Sequence, residues 1–231
     1  MSGAIAIFVK TPGYSAVKTR LAETAGAAFA REWHERAART VAAVAEAAAA
    51  RHNADVYWAV AEPAAIADGA WPGLANLLQG DGGLGARMAR VHTELVRRHG
   101  HGMLLGADSP QVSVDLLLEA LRWLAVETSR QVLGPASDGG FWLYGANRTI
   151  AADRWNRVPY SQPDTARQFR AAFADRGEWL VLPALTDVDR AEDLAPMRRE
   201  LTALAAPVPA QQSLDTWLQR TGAAPAVQDE S

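Results

Sequence analysis

Strand-like and helix-like segments alternate from residue 3 to residue 204, and this alternation constrains the fold more than any other feature of the chain. The first strand, Gly3–Val9, is continuously apolar, which is typical of a central parallel strand buried on both faces. Further strands are predicted over Asp55–Ala61, Gly102–Ala107, Arg130–Gly134, Phe141–Tyr144 and Trp179–Leu182. Helices are predicted over Gly26–Arg51, Leu84–His99, Val114–Val126, Asp164–Asp175 and Ala191–Leu204. The pattern predicts a three-layer α/β/α sandwich around a mostly parallel mixed sheet.

The composition changes after residue 205, so we expect a main domain over residues 1–205 and an appendage over residues 206–231. In the appendage, a linker at Pro207–Pro209 precedes a short helix, Ser213–Thr221, with Ser213 as N-cap and Gly222 as its end. A polar tail follows. Three apolar side chains share one face of this helix and predict packing on the main domain or, alternatively, on a partner chain: Leu214, Trp217 and Leu218.

The overall charge argues against a polyanionic partner. With 23 Lys and Arg against 26 Asp and Glu, the formal net charge is -3, so no nucleic-acid partner is expected. The cysteine count of 0 excludes a disulfide scaffold, a thiolate zinc site and a cysteine nucleophile. The first apolar run lacks a basic flank and a cleavage site, and no apolar stretch reaches about 18 residues. We therefore expect a cytoplasmic protein without a membrane partner. The sequence leaves open whether the protein forms a homodimer.

The loop after the first strand combines three cations with a turn. Lys10, Lys18 and Arg20 surround the pair Pro12 and Gly13, directly before a helical segment. Ligands of open α/β sheets bind at the carboxyl ends of the strands, and glycine lets the backbone approach a phosphate closely. The loop therefore predicts a di- or triphosphate site. The alternative is that all three cations are solvated surface groups.

Carboxylates follow two other predicted strands, at the same edge of the sheet. Asp108 ends an apolar strand, and Asp187 and Asp189 come after the last strand. These oxygens are well placed to hold Mg²⁺ or Mn²⁺ against phosphate oxygens. The alternatives are structural: Asp108 caps the next helix, and Asp189 forms a capping box with Glu192.

A third strand end carries Asp138, Gly139 and Gly140, a turn whose backbone amides can meet a sugar or phosphate closely. A plain hairpin turn is the alternative.

The run Gly80–Gly85 also satisfies the G-x-G-x-x-G pattern of dinucleotide-binding folds. We disfavour that interpretation, because the segment before it, Leu74–Gln79, makes a poor buried strand and the motif lies in mid-chain.

Triad hydrolysis is not expected. The five histidines are predicted on helix surfaces and turns, with no pair at metal-ligand spacing at this edge. Ser109 and Ser161 have no evident histidine partner.

Five blocks, in order, resemble the bacterial glycosyltransferase-A-like family first catalogued as domain of unknown function 2064: Phe8–Leu21, Gln79–Met88, Gly106–Pro110, Leu133–Leu143 and Asp187–Leu194. The resemblance covers about residues 3–200. Some members are named arsenosugar-biosynthesis glycosyltransferases, and the superfamily includes guanylyltransferases acting on molybdopterin or phospholactate. The resemblance implies the nucleotide-diphospho-sugar transferase (GT-A-like) fold, a metal on Asp108 and Asp189, and phosphates on Lys10, Lys18 and Arg20.

The resemblance also gives the glycine motif another role. In similar proteins the block Gly82–Met88 looks like a loop over the nucleotide, which implies nucleotide contacts for Gly83 and for Arg87. Two departures, Ser109 for a frequent Cys and Val158–Pro163 for a usual Pro-Trp-Ser-Thr-Pro, lie on the expected acceptor side. They leave the identity of the acceptor open.

The sequence therefore predicts a metal-dependent transferase that takes a nucleoside-diphosphate sugar and passes the glycosyl group to a small acceptor. Asp108 and Lys18 are expected to stabilise the leaving phosphate, with Asp138 as the candidate base for the acceptor. The first alternative is a guanylyl- or cytidylyltransferase that uses a nucleoside triphosphate. The second is a non-catalytic nucleotide-binding domain.

Overall fold

A computed structural model describes residues 2–222 of the chain, so the expected polar tail, Ala223–Ser231, lies outside the described residues. The centre of the structure is a sheet of seven strands: β1 Gly3–Val9, β2 Ala54–Val60, β3 Ala75–Leu78, β4 His101–Gly106, β5 Arg130–Pro135, β6 Phe141–Ala146 and β7 Glu178–Val181. Their order across the sheet is β3-β2-β1-β4-β6-β5-β7. The two most continuous apolar runs form β1 and β4, which lie side by side in the middle of the sheet, where both faces of a strand are buried.

One strand runs against the others. β6 pairs antiparallel with both β4 and β5, whereas the neighbouring pairs of β1, β2, β3, β4, β5 and β7 are parallel. The beginning of β6, rather than its end, therefore lies at the edge where the parallel strands end. The predicted mostly parallel mixed sheet is confirmed.

The helices cover both faces of this sheet. They are α1 Thr19–Ala25, α2 Ala27–His52, α3 Pro63–Ala67, α4 Leu84–His99, α5 Val114–Leu124, α6 Ala152–Asn156, α7 Thr165–Ala172, α8 Leu194–Thr202 and α9 Pro209–Thr221. Aliphatic side chains of α2 and α5 pack on one face of the sheet. On the other face, α4, α6 and α7 enclose an aromatic core around Tyr144, Trp155 and Phe169. The three-layer α/β/α prediction is confirmed.

Two helix predictions need correction. The long helix expected over Ala191–Leu204 is a short 3-10 turn, Ala191–Asp193, followed by α8. The last helix begins at Pro209 instead of Ser213, because a proline needs no amide partner in the first turn. Ser213 therefore does not cap it, and its hydroxyl donates to the carbonyl of Pro209 within the helix. Gly222 ends the helix in a left-handed conformation, as expected.

Helix α9 packs on the main domain. Leu214 and Leu218 are buried together with side chains of α1, α2 and α8. The ring of Trp217 stacks on Phe29, with the centroids 5.1 Å apart. Of the two expectations for this helix face, the structure has packing on the main domain. The domain boundary near residue 205 stays a prediction. Among residues 2–222, no helix combines the length and the apolar character needed to cross a membrane.

Candidate functional site

A cleft of about 520 Å³ lies where β1, β4 and β5 end and β6 begins. Six of the residues singled out in the sequence line it: Lys10, Lys18, Asp108, Asp138, Gly140 and Asp189. Asp187, His34 and Gln79 also line the cleft. The other predicted site residues lie beside the cleft or in its supporting loops: Pro12, Gly13, Arg20, Gly83, Arg87 and Gly139. The chain's two lysines thus both reach this cleft.

Lys18 is a buried cation. It precedes α1 with a left-handed backbone (φ 47), and its side chain is only 7% exposed. Its ammonium lies 2.8 Å from Oδ2 of Asp108 and donates to the carbonyl of Val188. Burial lowers the pKa of Lys18, but Asp108 and Asp187 outweigh that effect, so the pKa is raised and the group stays charged. The solvated-cation alternative is therefore wrong for Lys18.

Asp108 lies between two partners. Its Oδ2 pairs with Lys18, while its buried Oδ1 has no hydrogen-bond partner and lies 3.8 Å from Nδ1 of His34. Burial raises the pKa of Asp108, but Lys18 and then His34 bring it well below its usual range. The capping alternative is wrong, because Ser113 caps α5 and accepts from the amide of Leu116 at 3.2 Å.

His34 is the site residue that the sequence analysis missed. It lies on α2, is 5% exposed, and its Nε2 is 2.8 Å from the carbonyl oxygen of Lys10. Since a carbonyl only accepts, Nε2 carries the hydrogen. The prediction of five surface or turn histidines is thus wrong for His34, and it is also wrong for His92 and His101, which are buried. The spacing of His34 from the buried residues Ala30, Ala37 and Val41 was a signal that it faces inward.

The two aspartates after β7 differ. Oδ2 of Asp189 lies 2.7 Å from the guanidinium of Arg20, which is largely exposed. Burial, and next the charge of Asp108, raises the pKa of Asp187 to about 7, against the opposing effect of Lys18. The predicted capping box of Asp189 is wrong: the carboxylate of Asp193 accepts from the amides of residues 189 and 190 at 2.9 and 2.7 Å.

The turn between β5 and β6 is a hairpin that also faces the cleft. Oδ1 of Asp138 accepts from the amide of Gly140 at 2.8 Å, and the carboxylate lines the cleft. Gly139 has φ +89, and a Cβ there would lie 1.8 Å from the carbonyl oxygen of Pro163. Glycine is thus required for the close packing on Pro163. The hairpin alternative is right, and it is compatible with a role for Asp138.

The glycine loop before α4 is held by arginines. Arg87 donates from Nε to the carbonyl of Gly82 at 2.9 Å, and Arg90 donates to the carbonyls of Gln79 and Asp81. Gly83 precedes the first turn of α4. The segment before the motif is the edge strand β3, so the motif does not follow the central strand that a dinucleotide fold uses. The guanidinium of Arg87 is therefore hydrogen-bonded to the loop that precedes its own helix.

The carboxylates of the cleft are oxygen donors of the kind that bind divalent cations. In residues 2–222, no group of three or more His, Cys, Asp or Glu is arranged so that it could hold a metal ion. However, Asp108 Oδ1 is buried without a hydrogen-bond partner, and burial, together with the charge of Asp108, raises the pKa of Asp187. Crowded carboxylate oxygens of this kind are the donors that Mg²⁺ and Mn²⁺ prefer.

Arg20→Met is expected to leave the melting temperature nearly unchanged, because Arg20 is exposed and its pair with Asp189 is screened by water. Nucleotide affinity should fall only a few-fold, since Asp189 loses the partner that orients it. The matched control is Arg31→Met, an exposed arginine on α2 outside the cleft. Thermal melting and calorimetric titration measure both effects, and a drop in affinity above about 100-fold would contradict this limited role.

Comparison with known proteins gives one family and a group of similar folds. The family model described as "Uncharacterized protein conserved in bacteria (DUF2064)" matches residues 40–162. No curated protein matches the sequence.

Solved structures with the same fold cover nearly the whole chain. A protein from Desulfovibrio desulfuricans G20 with the provisional name nucleotide-diphospho-sugar transferase is 25% identical, with a TM-score of 0.77, over 97% of this chain and 99% of that chain. Rv0371c from Mycobacterium tuberculosis H37Rv is 14% identical, with a TM-score of 0.55, over 88% of this chain and 100% of that chain. The predicted GT-A-like fold and the transferase class are confirmed.

Proposed function

From the premise that this chain belongs to the DUF2064 family of bacterial proteins, we propose that it is a metal-dependent glycosyltransferase. It binds a nucleoside-diphosphate sugar in the cleft and passes the glycosyl group to a small acceptor. The likeness to the Desulfovibrio protein supports the donor class.

The observation that carries the proposal is the meeting of opposite charges at one edge of the sheet. Four carboxylates among the described residues, those of Asp108, Asp138, Asp187 and Asp189, line the same cleft as Lys10 and Lys18. A structural scaffold has no need for such a concentration of charge, whereas a diphosphate bound through a divalent cation uses both signs. This also argues against the non-catalytic alternative.

In the proposed reaction, Lys10 and Lys18 donate hydrogen bonds to the diphosphate. Lys18 must then share its ammonium between Asp108 and the donor, because it pairs with Asp108 when the cleft holds no ligand. A Mg²⁺ or Mn²⁺ held by Asp108 and Asp189 would neutralise charge on the leaving diphosphate. His34 fixes the loop after β1 through the carbonyl of Lys10.

Asp138 is the proposed base. Its Oδ1 is held by the amide of Gly140, so the carboxylate has a fixed direction at the cleft. It takes the proton of an acceptor hydroxyl while the hydroxyl oxygen bonds to the anomeric carbon. The bond from that carbon to the diphosphate oxygen breaks, and its electron pair leaves with the nucleoside diphosphate.

Nucleotidyl transfer from a nucleoside triphosphate remains the second candidate function, because a triphosphate would meet the same two lysines and the same carboxylates. The two reactions differ in which bond faces the acceptor. Glycosyl transfer releases a nucleoside diphosphate, whereas nucleotidyl transfer releases pyrophosphate. Analysis of the released product therefore separates them.

We expect UDP, GDP or their sugars, or GTP or CTP, to raise the melting temperature, and to raise it more with Mg²⁺ or Mn²⁺ present. A ligand of the folded state stabilises by mass action, by about 2.7 kcal/mol at a concentration 100 times its Kd. A thermal-shift screen with and without metal measures this. Stabilisation by NAD(H) alone would instead favour the glycine-motif interpretation and refute the proposal.

A further inference from the structure

One wall of the cleft is uncharged. It is formed by the start of β6 and by the segment before α7, and its lining residues are Phe141, Tyr160, Ser161, Gln162 and Thr165. Within residues 2–222, the cleft's lysines and its histidine come from the other side, from the β1 loop and α2. The cleft is therefore divided into a half that holds the cations and a neutral half, formed by this wall, which Asp138 borders.

The tyrosine in this wall stays neutral. The hydroxyl of Tyr160 donates to the carbonyl of Trp155 at 3.0 Å, and burial raises the pKa of Tyr160 well above its usual range. Its ring lies against Gly85 of α4, where an added Cβ would be 2.9 Å from the ring. The phenol is thus a fixed, uncharged surface.

The polar groups of this wall fall into two kinds. The hydroxyl of Thr165 donates to the carbonyl of Pro159 and accepts from the amide of Gln162, both at 3.0 Å. The side chains of Ser161 and Gln162 are exposed and make no hydrogen bond within the described part of the chain. They leave a hydroxyl and an amide free for a ligand's hydroxyl groups, beside the ring of Phe141.

An ionised acceptor does not fit this wall. A phosphate or carboxylate there would lie near Asp138 with no cation from the wall to pair with it, which costs free energy on desolvation. An ammonium would pair with Asp138, the carboxylate that the proposed reaction needs as a base.

We infer that the acceptor is an uncharged hydroxyl compound with an aryl or other apolar face, held by Phe141, Ser161 and Gln162. The inference rests on the proposed glycosyl transfer, and it names the substrate class of the second half of the cleft. The apolar face packs on Phe141, while the amide of Gln162 and the hydroxyl of Ser161 bind hydroxyl groups.

The test uses four probes with the intact chain, Mg²⁺ and UDP or GDP, whichever gives the larger thermal shift. The probes are phenyl β-D-glucoside, methyl β-D-glucoside, glucose 6-phosphate and glucosamine, and saturation-transfer NMR detects which of them binds. We expect a signal from phenyl β-D-glucoside, a weaker one from methyl β-D-glucoside, and none from the two ionised probes. Phe141→Ala should weaken the affinity for phenyl β-D-glucoside about tenfold, because the contact with the ring of Phe141 is lost.

Gln162→Lys supplies the missing cation without touching the core, since Gln162 is exposed. This variant should gain a signal from glucose 6-phosphate, and the uncharged control Gln162→Met should not. A signal from glucose 6-phosphate or glucosamine in the parent chain equal to that of the phenyl probe would overturn the inference, and so would the absence of binding by the phenyl probe. Loss of the nucleotide thermal shift itself would instead refute the proposed function, so the two failures are distinguishable.

Discussion

Asp108→Asn is expected to abolish metal-dependent nucleotide binding, with a loss of affinity of more than about 100-fold. The amide removes the negative charge that would hold the cation. It also leaves the buried ammonium of Lys18 without the carboxylate 2.8 Å away. We therefore also expect a loss of stability. Removal of one partner from a buried ion pair costs roughly 3–5 kcal/mol, and the partial exposure of Asp108 places this variant at the lower end.

Calorimetric titration of nucleotide with and without Mn²⁺, beside a denaturant melt, measures both effects of this substitution. The matched control is Asp115→Asn, an exposed carboxylate in the first turn of α5, outside the cleft. It should change nucleotide affinity by less than about twofold. If Asp108→Asn bound nucleotide with an unchanged response to metal, the assignment of Asp108 as a metal ligand would be wrong.

Lys18→Met has the second largest expected effect. A solvated surface lysine would leave the melting temperature nearly unchanged when replaced, but Lys18 is buried and is the cation paired with Asp108. Its loss leaves Asp108 and Asp187 facing one another with less positive charge between them. We now expect a loss of roughly 2–4 kcal/mol of stability, together with a loss of about 1–3 kcal/mol in nucleotide affinity.

Lys10→Met is the informative comparison for this variant, because Lys10 is exposed and lines the same cleft. It should weaken nucleotide binding while leaving the melting temperature nearly unchanged. Thermal melting without ligand and titration with nucleotide and Mn²⁺ separate the two variants. Parent-like binding by Lys18→Met would show that Lys18 only supports the fold, and the phosphates would then have to be bound elsewhere.

The location of the cleft could be predicted because it depends on strand ends. Apolar runs mark where β1, β4 and β5 stop, and polar residues that follow parallel strands must meet at one edge. Lys10, Asp108 and Asp138 are brought together in this way. The roles of these residues in binding and catalysis stay predictions.

The pairing within the cleft could not be predicted. The contact of Lys18 with Asp108 joins residues 90 positions apart, and no periodic pattern specifies which acid a given cation will meet. His34 was missed because an alanine-rich helix gives a weak contrast between its faces.

Short elements were also missed for physical reasons. Helices α1, α3 and α6 have 7, 5 and 5 residues, too few to show a helical period in the sequence. The edge strand β3 has 4 residues, and an edge strand needs no continuous apolar run because one side of it is open. The fold could be predicted because its long, buried elements show clear patterns in the sequence.

The close packing of Gly139 on Pro163 joins the two segments that form the neutral half of the cleft. The hairpin turn, the start of β6 and the segment before α7 all lie between residues 136 and 166, and the amide of Ala166 donates to the carbonyl of Gly139 at 2.9 Å. The two lysines, His34 and the carboxylates of Asp108, Asp187 and Asp189 come from other stretches of the chain, whereas Asp138 belongs to this one. We therefore expect that substitutions within this stretch that keep Asp138 change the acceptor while the donor chemistry stays the same.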